Sequence, residues 1–260
     1  MQTANDPEAP PLARSIGTEK LPAVKAEALR NLVTGSVIEV DRDELAHCMG
    51  YPSPASVSAP VRDVCDAQIR RLADLANPWG GCIEIPIRDV GYDTVQLEGG
   101  SALSSRRLAR LLRRATSIEL LIVTLGESVG LAIRQETREG SVLDAMALDA
   151  AATVATSALM REMRERVCRK AIERGLGTTI RYGPGYTDWK IDDMAVLFSC
   201  LEGRSVPVRL NDQLMMLPEK SLLGIVGLVP GKRSAPDVIP CRICDLERCS
   251  SRRAPFTGRP

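Results

Sequence analysis

The segment Arg181-Tyr182-Gly183-Pro184-Gly185-Tyr186-Thr187-Asp188-Trp189 concentrates chemical capacity in a chain where only 3% of residues are aromatic. Glycine allows backbone shapes and close approaches that other residues forbid, and proline stiffens the turn between the two glycines. Arginine adds a planar fork that reads carboxylate or phosphate. The combination suits a loop that lays its backbone against a small ligand. A tight turn stabilised by a buried arginine is the plainer alternative.

A second cluster closes the chain, Cys241-Arg242-Ile243-Cys244-Asp245-Leu246-Glu247-Arg248-Cys249. The C-x-x-C step brings Cys241 and Cys244 within reach of one metal, and Cys249 follows closely enough to join them. Three thiolates suit a 4Fe–4S cluster with one open position, or zinc completed by another residue. A redox-active dithiol is the other reading with chemistry in it. The sole histidine, His47, is expected to be structural or exposed rather than a zinc ligand. Cys48, Cys65, Cys82, Cys168 and Cys200 have no ligand spacing and read as apolar thiols.

Several chemistries have no seat. Gly227-Leu228-Val229-Pro230-Gly231-Lys232-Arg233-Ser234 lacks the glycine gap of a phosphate loop and the Ser or Thr directly after Lys232. No G-x-G-x-x-G follows a strand, and nothing around His47 marks it as a catalytic base. No catalytic residue is assigned.

The elements that must position these residues are partly legible. The clearest helix runs from Ser141 to Arg174, where Leu148, Ala152, Ala155, Leu159, Met163 and Val167 recur at three- and four-residue steps. Gly175 and Gly177 end it, and Thr178-Thr179-Ile180 leads as a short strand into the glycine loop. Val61 to Leu75 and Asp192 to Leu201 are further helices, and a helical stretch is expected around Ala23 to Leu32. Asp41 is placed to cap a short helix, with Glu44 three positions on, and residues 49 to 60 read as a loop. Strands are expected at Ser36 to Asp41, Cys82 to Ile87, Ile118 to Thr124, Val206 to Leu210 and Leu222 to Val229. Pro86 argues for a sheet edge or a strand end, whereas the apolar run at Ile118 reads as central. Strands and helices mix without regular βαβ alternation, so the expected class is α+β with a largely antiparallel twisted sheet and flanking helices. The expected organisation is a leader over 1–20, one α+β domain over 21–235 and a cysteine-bearing tail over 236–260.

The 260 residues suffice for a substantial core, and 44% hydrophobic with 26% charged residues is ordinary for a globular protein. A formal net charge of +1 argues against wholesale attraction to nucleic acid or membrane. The basic run Ser104 to Arg114 has leucines at amphipathic-helix spacing; it reads as a solvated helix face or, more sharply, as a docking surface for an acidic partner. The apolar runs near Leu120 and Leu222 fall short of the ~20 residues of a membrane span, and no secretory signal is visible. Eight cysteines without such a signal lead to the expectation of a reducing, cytoplasmic setting.

Taken in chain order, Val123-Thr124-Leu125-Gly126, Leu148-Asp149-Ala150-Ala151-Ala152, the glycine loop, Asn211-Asp212-Gln213-Leu214-Met215-Met216-Leu217-Pro218-Glu219-Lys220-Ser221 and the late cysteines resemble the activation domain of cobalamin-dependent methionine synthase. The likeness is closer still to the short stand-alone relatives of that domain. It covers roughly residues 35 to 253. It implies the activation-domain fold and an S-adenosylmethionine site, with Arg181 meeting the methionine carboxylate, Gly183 and Gly185 admitting the ligand to the backbone, and Tyr186 stacking or hydrogen-bonding. Asp212 stands where the family usually has Glu, one methylene longer, so its contact becomes water-mediated. Asp149 would face the adenosyl or amino group, with a solvated helix charge as the alternative, and Met215 and Met216 would line an apolar wall or simply fill core. Gly183 and Thr187 depart from the family, where Ser or Ala and Gly are usual.

The family's role is reductive methylation of an oxidised cobalamin. This chain has no D-x-H-x-x-G cobalamin motif, so the resemblance implies a partner, either a corrinoid-binding protein or methionine synthase modules, together with an electron donor such as a flavodoxin or ferredoxin. Two other functions stay open: an iron–sulfur or zinc accessory protein for electron transfer, and a binding-only S-adenosylmethionine sensor.

Overall fold

The computed structural model describes residues 30–34, 39–186, 188–231, 234–235, 240–242 and 257. The expected leader over 1–20 and most of the 236–260 tail lie outside these described residues.

The apolar run at Ile118 forms the middle of the sheet. Strand β5 (Ser117–Thr124) is buried at every position. It pairs antiparallel with β2 (Trp79–Val90) on one side and with β9 (Ser221–Pro230) on the other. Beyond β2 come β3 (Thr94–Leu97) and β4 (Ala102–Ser104), and beyond β9 comes β6 (Leu176–Thr178). Strand β1 (Arg30–Thr34) pairs with the first residues of β2, completing seven strands joined by antiparallel pairs throughout.

The period-two alternation of β5 divides the core in two. Leu121 and Val123 face a helical layer made of α1 (Arg42–Cys48), α2 (Ala59–Leu75), α4 (Glu127–Glu139) and α5 (Val142–Glu173). Ile118, Leu120 and Ile122 face α3 (Arg106–Leu112), α6 (Asp193–Ser199) and the aromatics of the glycine loop. Helix α5 lies across the sheet with all its alanines except Ala158 fully or nearly fully buried, and small side chains let a helix approach a sheet closely. It is the one described helix long and apolar enough to cross a membrane by length and composition, yet 61% of its most apolar window is buried inside the fold.

Four sequence expectations need correction. Arg30 to Leu32 belong to strand β1 rather than to a helix, because the free edge of β2 at Gly80–Cys82 offers them a ladder. Of the strand expected at Ser36 to Asp41, residues 36–38 lie outside the described residues. Glu39 and Val40 are irregular, and Asp41 is already the cap of α1, its Oδ1 accepting the Glu44 N–H at 2.8 Å. Pro86 sits inside β2, not at its end. Its carbonyl faces β3, accepting from Glu98 N–H at 2.9 Å, so its missing donor points the same way, into the gap where β1 has ended and β3 has not begun. Val206 to Leu210 supplies only the two-residue strand β7 (Arg209–Leu210), hairpinned with β8 (Met216–Leu217).

Burial also sets thiol chemistry. Desolvation pushes the Cys200 thiol above its ordinary value of 9.0, with hydrogen bonds from Ser101 and Ser199 and the Arg204 charge acting against it. Cys65 is raised by desolvation and by the neighbouring Asp66 carboxylate, with the Arg42 charge acting against them. A raised thiol favours the protonated form in the fold, so this contribution to stability is complete below the unfolded value and lost as pH climbs through the raised folded value. At pH 8, iodoacetamide labelling followed by peptide mass mapping is expected to mark Cys65 and Cys200 more slowly than the half-buried Cys48 and Cys241.

Candidate functional site

The glycine loop leaves the sheet beside β9. Tyr182 forms a two-way antiparallel bridge with Ile225, its N–H donating at 3.0 Å and its carbonyl accepting at 2.8 Å. The short strand expected at Thr178 to Ile180 is therefore displaced: β6 ends at Thr178, and contact with β9 resumes at Tyr182. From there the loop runs along β9 toward its N-terminal end. That end meets the C-terminal end of β5, where Leu125 N–H donates to the Lys220 carbonyl at 3.0 Å.

Each glycine has a definite task. Gly185 adopts φ +90°, a left-handed conformation that side chains resist. Gly183 lies flat on the sheet edge, where a Cβ would stand 3.2 Å from the Leu223 carbonyl oxygen. The departure from Ser or Ala at position 183 thus coincides with an unusually close backbone approach. The loop closes on itself through Gly185 N–H to the Trp189 carbonyl at 2.8 Å and Trp189 N–H to the Tyr186 carbonyl at 2.9 Å.

Its three aromatic rings form a ladder from surface to core. Tyr186 is half-buried and stacks on Tyr182 at 5.9 Å, and Tyr182 stacks on Trp189 at 5.6 Å. Tyr182 and Trp189 are almost wholly buried. The Tyr182 hydroxyl is shared between the Tyr186 carbonyl at 3.1 Å and Asp188 Oδ1 at 3.3 Å. The Arg107 guanidinium lies 5.9 Å from the Tyr182 ring.

Arg181 is half-buried, with its aliphatic stem across Gly224 of β9: a Cβ there would lie 3.1 Å from Arg181 Cγ and 3.3 Å from Cδ. Among the described residues its guanidinium has no hydrogen-bond or ion-pair partner. Six other arginines, by contrast, are paired with carboxylates. A fork held by its stem and left unpaired at its head can receive an anionic group at the cost of little side-chain freedom.

The other expected residues are placed differently. Asp149, on the helical layer, is spent on Lys220, whose Nζ lies 2.8 Å from Asp149 Oδ1 and 3.0 Å from Thr153 Oγ1. Neighbouring Glu219 pairs with Arg134 of α4 at 2.6 Å. The segment before β9 therefore pins two helices to the sheet end at which the glycine loop lies. Asp212 stands exposed at the tip of the β7–β8 hairpin. Asn211 shapes that tip, its Oδ1 accepting from Gln213 and Met215 N–H at 3.0 and 2.8 Å. Met215 is 55% exposed, while Met216 packs against the core below the loop.

Gly183, Gly185, Tyr186 and Arg181 are thus brought together. Asp149 joins them only through Lys220 and β9, and no described contact ties Asp212 to Arg181. Asp188 and Asp193 escaped the sequence reading. Asp193 Oδ2 accepts from Trp189 Nε1 at 2.7 Å and from Ser104 N–H at 2.8 Å. The D-W pair inside the loop was the one available signal.

Cys241 lies half-buried on the Pro240–Arg242 turn, and Cys244 and Cys249 fall outside the described residues. Among the described residues no group of three or more His, Cys, Asp or Glu side chains is arranged to hold a metal. A cavity of about 390 Å³ opens elsewhere, between α1 and α2, walled by Leu45, Met49, Val57 and Cys65. None of the expected ligand residues lines it.

Because Gly224 has room for Arg181 only while it lacks a side chain, Gly224→Ala is expected to push the guanidinium off the sheet edge. Thermal unfolding should change little, since the contacts to be relieved are with a flexible, half-buried side chain. Any ligand that uses Arg181 should bind more weakly, by roughly threefold to tenfold, as calorimetry would read directly.

The antiparallel sheet, with one helical layer on its back and the glycine loop with α3 and α6 on its front, is the fold of a methionine synthase reactivation domain. A MetH reactivation domain bound to AdoHcy has a TM-score of 0.60 with this chain, covering 82% of each chain at 15% sequence identity. No protein-family model and no curated protein sequence matches the chain.

Proposed function

We propose that this chain is an S-adenosylmethionine-binding module that supports reductive methylation of a cobalamin held by a partner methionine synthase or another corrinoid protein. The observation that carries the reading is the Arg181 guanidinium, held by its stem on Gly224 and free of partners among the described residues, beside a backbone arc opened by Gly183 and Gly185. The shared fold supports it, because the MetH reactivation domain with that fold is bound to AdoHcy.

In this reading Arg181 holds the methionine carboxylate and the 183–185 backbone approaches the nucleoside. Tyr186, the outermost ring of the ladder, stacks or hydrogen-bonds against it. Asp212 reaches the sulfonium end through water, and Asp149 acts through Lys220 by fixing the sheet end. S-adenosylmethionine supplies an activated methyl group, and an electron donor such as a flavodoxin or ferredoxin supplies the electron in a reducing cytoplasm. Methyl transfer needs in-line approach at near contact, so the partner must present its cobalt at this open loop.

Calorimetry with S-adenosylmethionine and S-adenosylhomocysteine tests the ligand. Absence of binding at millimolar ligand would sink both the reactivation and the sensing versions. Methyl transfer to a corrinoid protein in the presence of reduced flavodoxin then separates them, since a sensor binds without transferring. An accessory cluster on Cys241, Cys244 and Cys249 is a separate part of the proposal. Its signature is broad visible absorption after anaerobic purification, lost in the Cys244→Ser variant.

A further inference from the structure

We propose that Asp188 is a positioning residue for the ligand loop, holding it in the shape that presents Arg181 and the 183–186 backbone; this rests on the ligand reading above. Asp188 is exposed, yet both its oxygens are engaged. Oδ1 meets the Tyr182 hydroxyl at 3.3 Å, inside the loop, and Oδ2 accepts the Arg107 N–H at 2.7 Å, outside it.

Arg107 is the second residue of α3, and the first four N–H groups of a helix have no acceptor within it. Ser105 caps the Leu108 N–H at 3.0 Å. Asp188 satisfies a second of these donors from a loop 81 positions away, and a carboxylate at a helix N-terminus is favoured by the dipole as well. Asp193 makes the matching attachment one step earlier, tying the Trp189 indole to the N–H of Ser104 at the end of β4.

The loop therefore hangs between two supports. Its first limb is fixed to β9 by the Tyr182–Ile225 bridge, and its second to the β4–α3 junction by the two aspartates. The arc between them, Gly183 to Tyr186, has only the bonds that close the loop on itself among its described backbone hydrogen bonds. Its shape is thus set by where its two ends are held. Asp188 hydrogen-bonds both the hydroxyl of the ring under the arc and the backbone of the second support. Losing its carboxylate removes one of the two ties of the second limb and one of the two partners of the Tyr182 hydroxyl, while the Asp193 tie, the β9 bridge and the aromatic core remain. Binding should fall because the site is no longer preorganised, not because the protein unfolds.

The experiment places Asp188→Ala and Asp188→Asn in a Trp79→Phe background, leaving Trp189 as the only tryptophan. S-adenosylhomocysteine affinity, melting temperature and acrylamide quenching of Trp189 are measured on each. The expected result is an affinity loss of about tenfold or more for Asp188→Ala with little change in melting temperature, together with increased quenching of Trp189. Asp188→Asn should restore most of the affinity, since an amide can still accept from Arg107 and meet the tyrosine hydroxyl.

Native affinity in Asp188→Ala overturns the proposal. So does a loss that merely tracks melting temperature and is not rescued by asparagine. If Asp188→Ala does not fold, Tyr182→Phe, which removes the inner contact together with the hydroxyl's bond to the Tyr186 carbonyl, must reproduce the split between affinity and melting temperature. If the parent binds no ligand, the function proposed above fails, and quenching alone decides: unchanged Trp189 exposure in Asp188→Ala refutes the positioning role, and increased exposure upholds it.

Discussion

Arg181→Ala should weaken binding of S-adenosylhomocysteine by about 10- to 100-fold, the range expected when a charge-assisted contact to a carboxylate is lost. The structure makes this a clean measurement. The guanidinium has no partner among the described residues, so its removal orphans no protein group. Its stem covers Gly224, which is backbone that the neighbouring strands continue to hold through the Leu121 register. Melting temperature should move by no more than about 2 °C, the size of effect of a half-exposed substitution in a domain of this size.

Arg181→Lys refines the result, because it keeps the charge and loses the fork. A residual defect of roughly threefold to tenfold would show that bidentate geometry matters as well as charge. Wild-type affinity in both variants would remove the loop from the binding site altogether. Together with Gly224→Ala, which leaves Arg181 chemically intact and displaces it, the series separates the residue's charge, its shape and its position.

Much of this architecture was legible because its signals are local. The 3.6-residue repeat of α5, the full apolar run of β5 and the cap of α1 by Asp41 each depend on neighbours within a few positions. Helix α4 was not read. It begins at Gly126 with no side-chain cap and carries Gly130 in its interior, both weak helix signals. A Cβ at Gly130 would stand 2.8 Å from Glu219 Oε2, the end of a flexible side chain far along the chain, so nothing local announces the contact. Strands β3 and β4 are too short to announce themselves, and the long β2 that pairs with β3 holds a proline that argues against it.

The candidate site divides the same way. The glycine loop stands out by composition. The use of Asp149 depends on Lys220, 71 positions away, and that of Asp188 on Arg107, and no spacing rule reports either. The fold likeness at 15% identity shows the other side of this: the same fold occurs where most side chains differ.

Gly227→Ala tests the wall behind the loop, and its main cost should be to stability. Gly227 lies in β9 opposite Ile118, and its face is covered by the end of α3. A Cβ there would stand 2.5 Å from Leu112 Cδ2, 3.0 Å from Ala115 Cβ and 3.1 Å from Thr179 Cγ2. Leu112 is fully buried, so its methyl has nowhere to retreat. Thr179 is held in place by the Gly227 N–H, which donates to its hydroxyl at 2.8 Å. Overpacking of this kind costs about 1–3 kcal/mol, or roughly 2–4 °C of melting temperature per kcal/mol for a chain of this length. The cause can be isolated by a double-mutant cycle. Leu112→Ala alone should destabilise by about 2–5 kcal/mol through the cavity it leaves. With Gly227→Ala the new methyl enters that cavity, so the double variant should be more stable than the sum of the two losses, by at least about 0.5 kcal/mol. Strict additivity would mean that α3 does not rest on Gly227. The same helix supplies the Arg107 N–H that holds Asp188, so a shift of α3 away from the sheet should also be felt at the ligand loop. Gly227→Ala should therefore leave Arg181 chemistry intact while increasing the solvent exposure of Trp189, whereas Arg181→Ala should remove that chemistry and leave Trp189 buried.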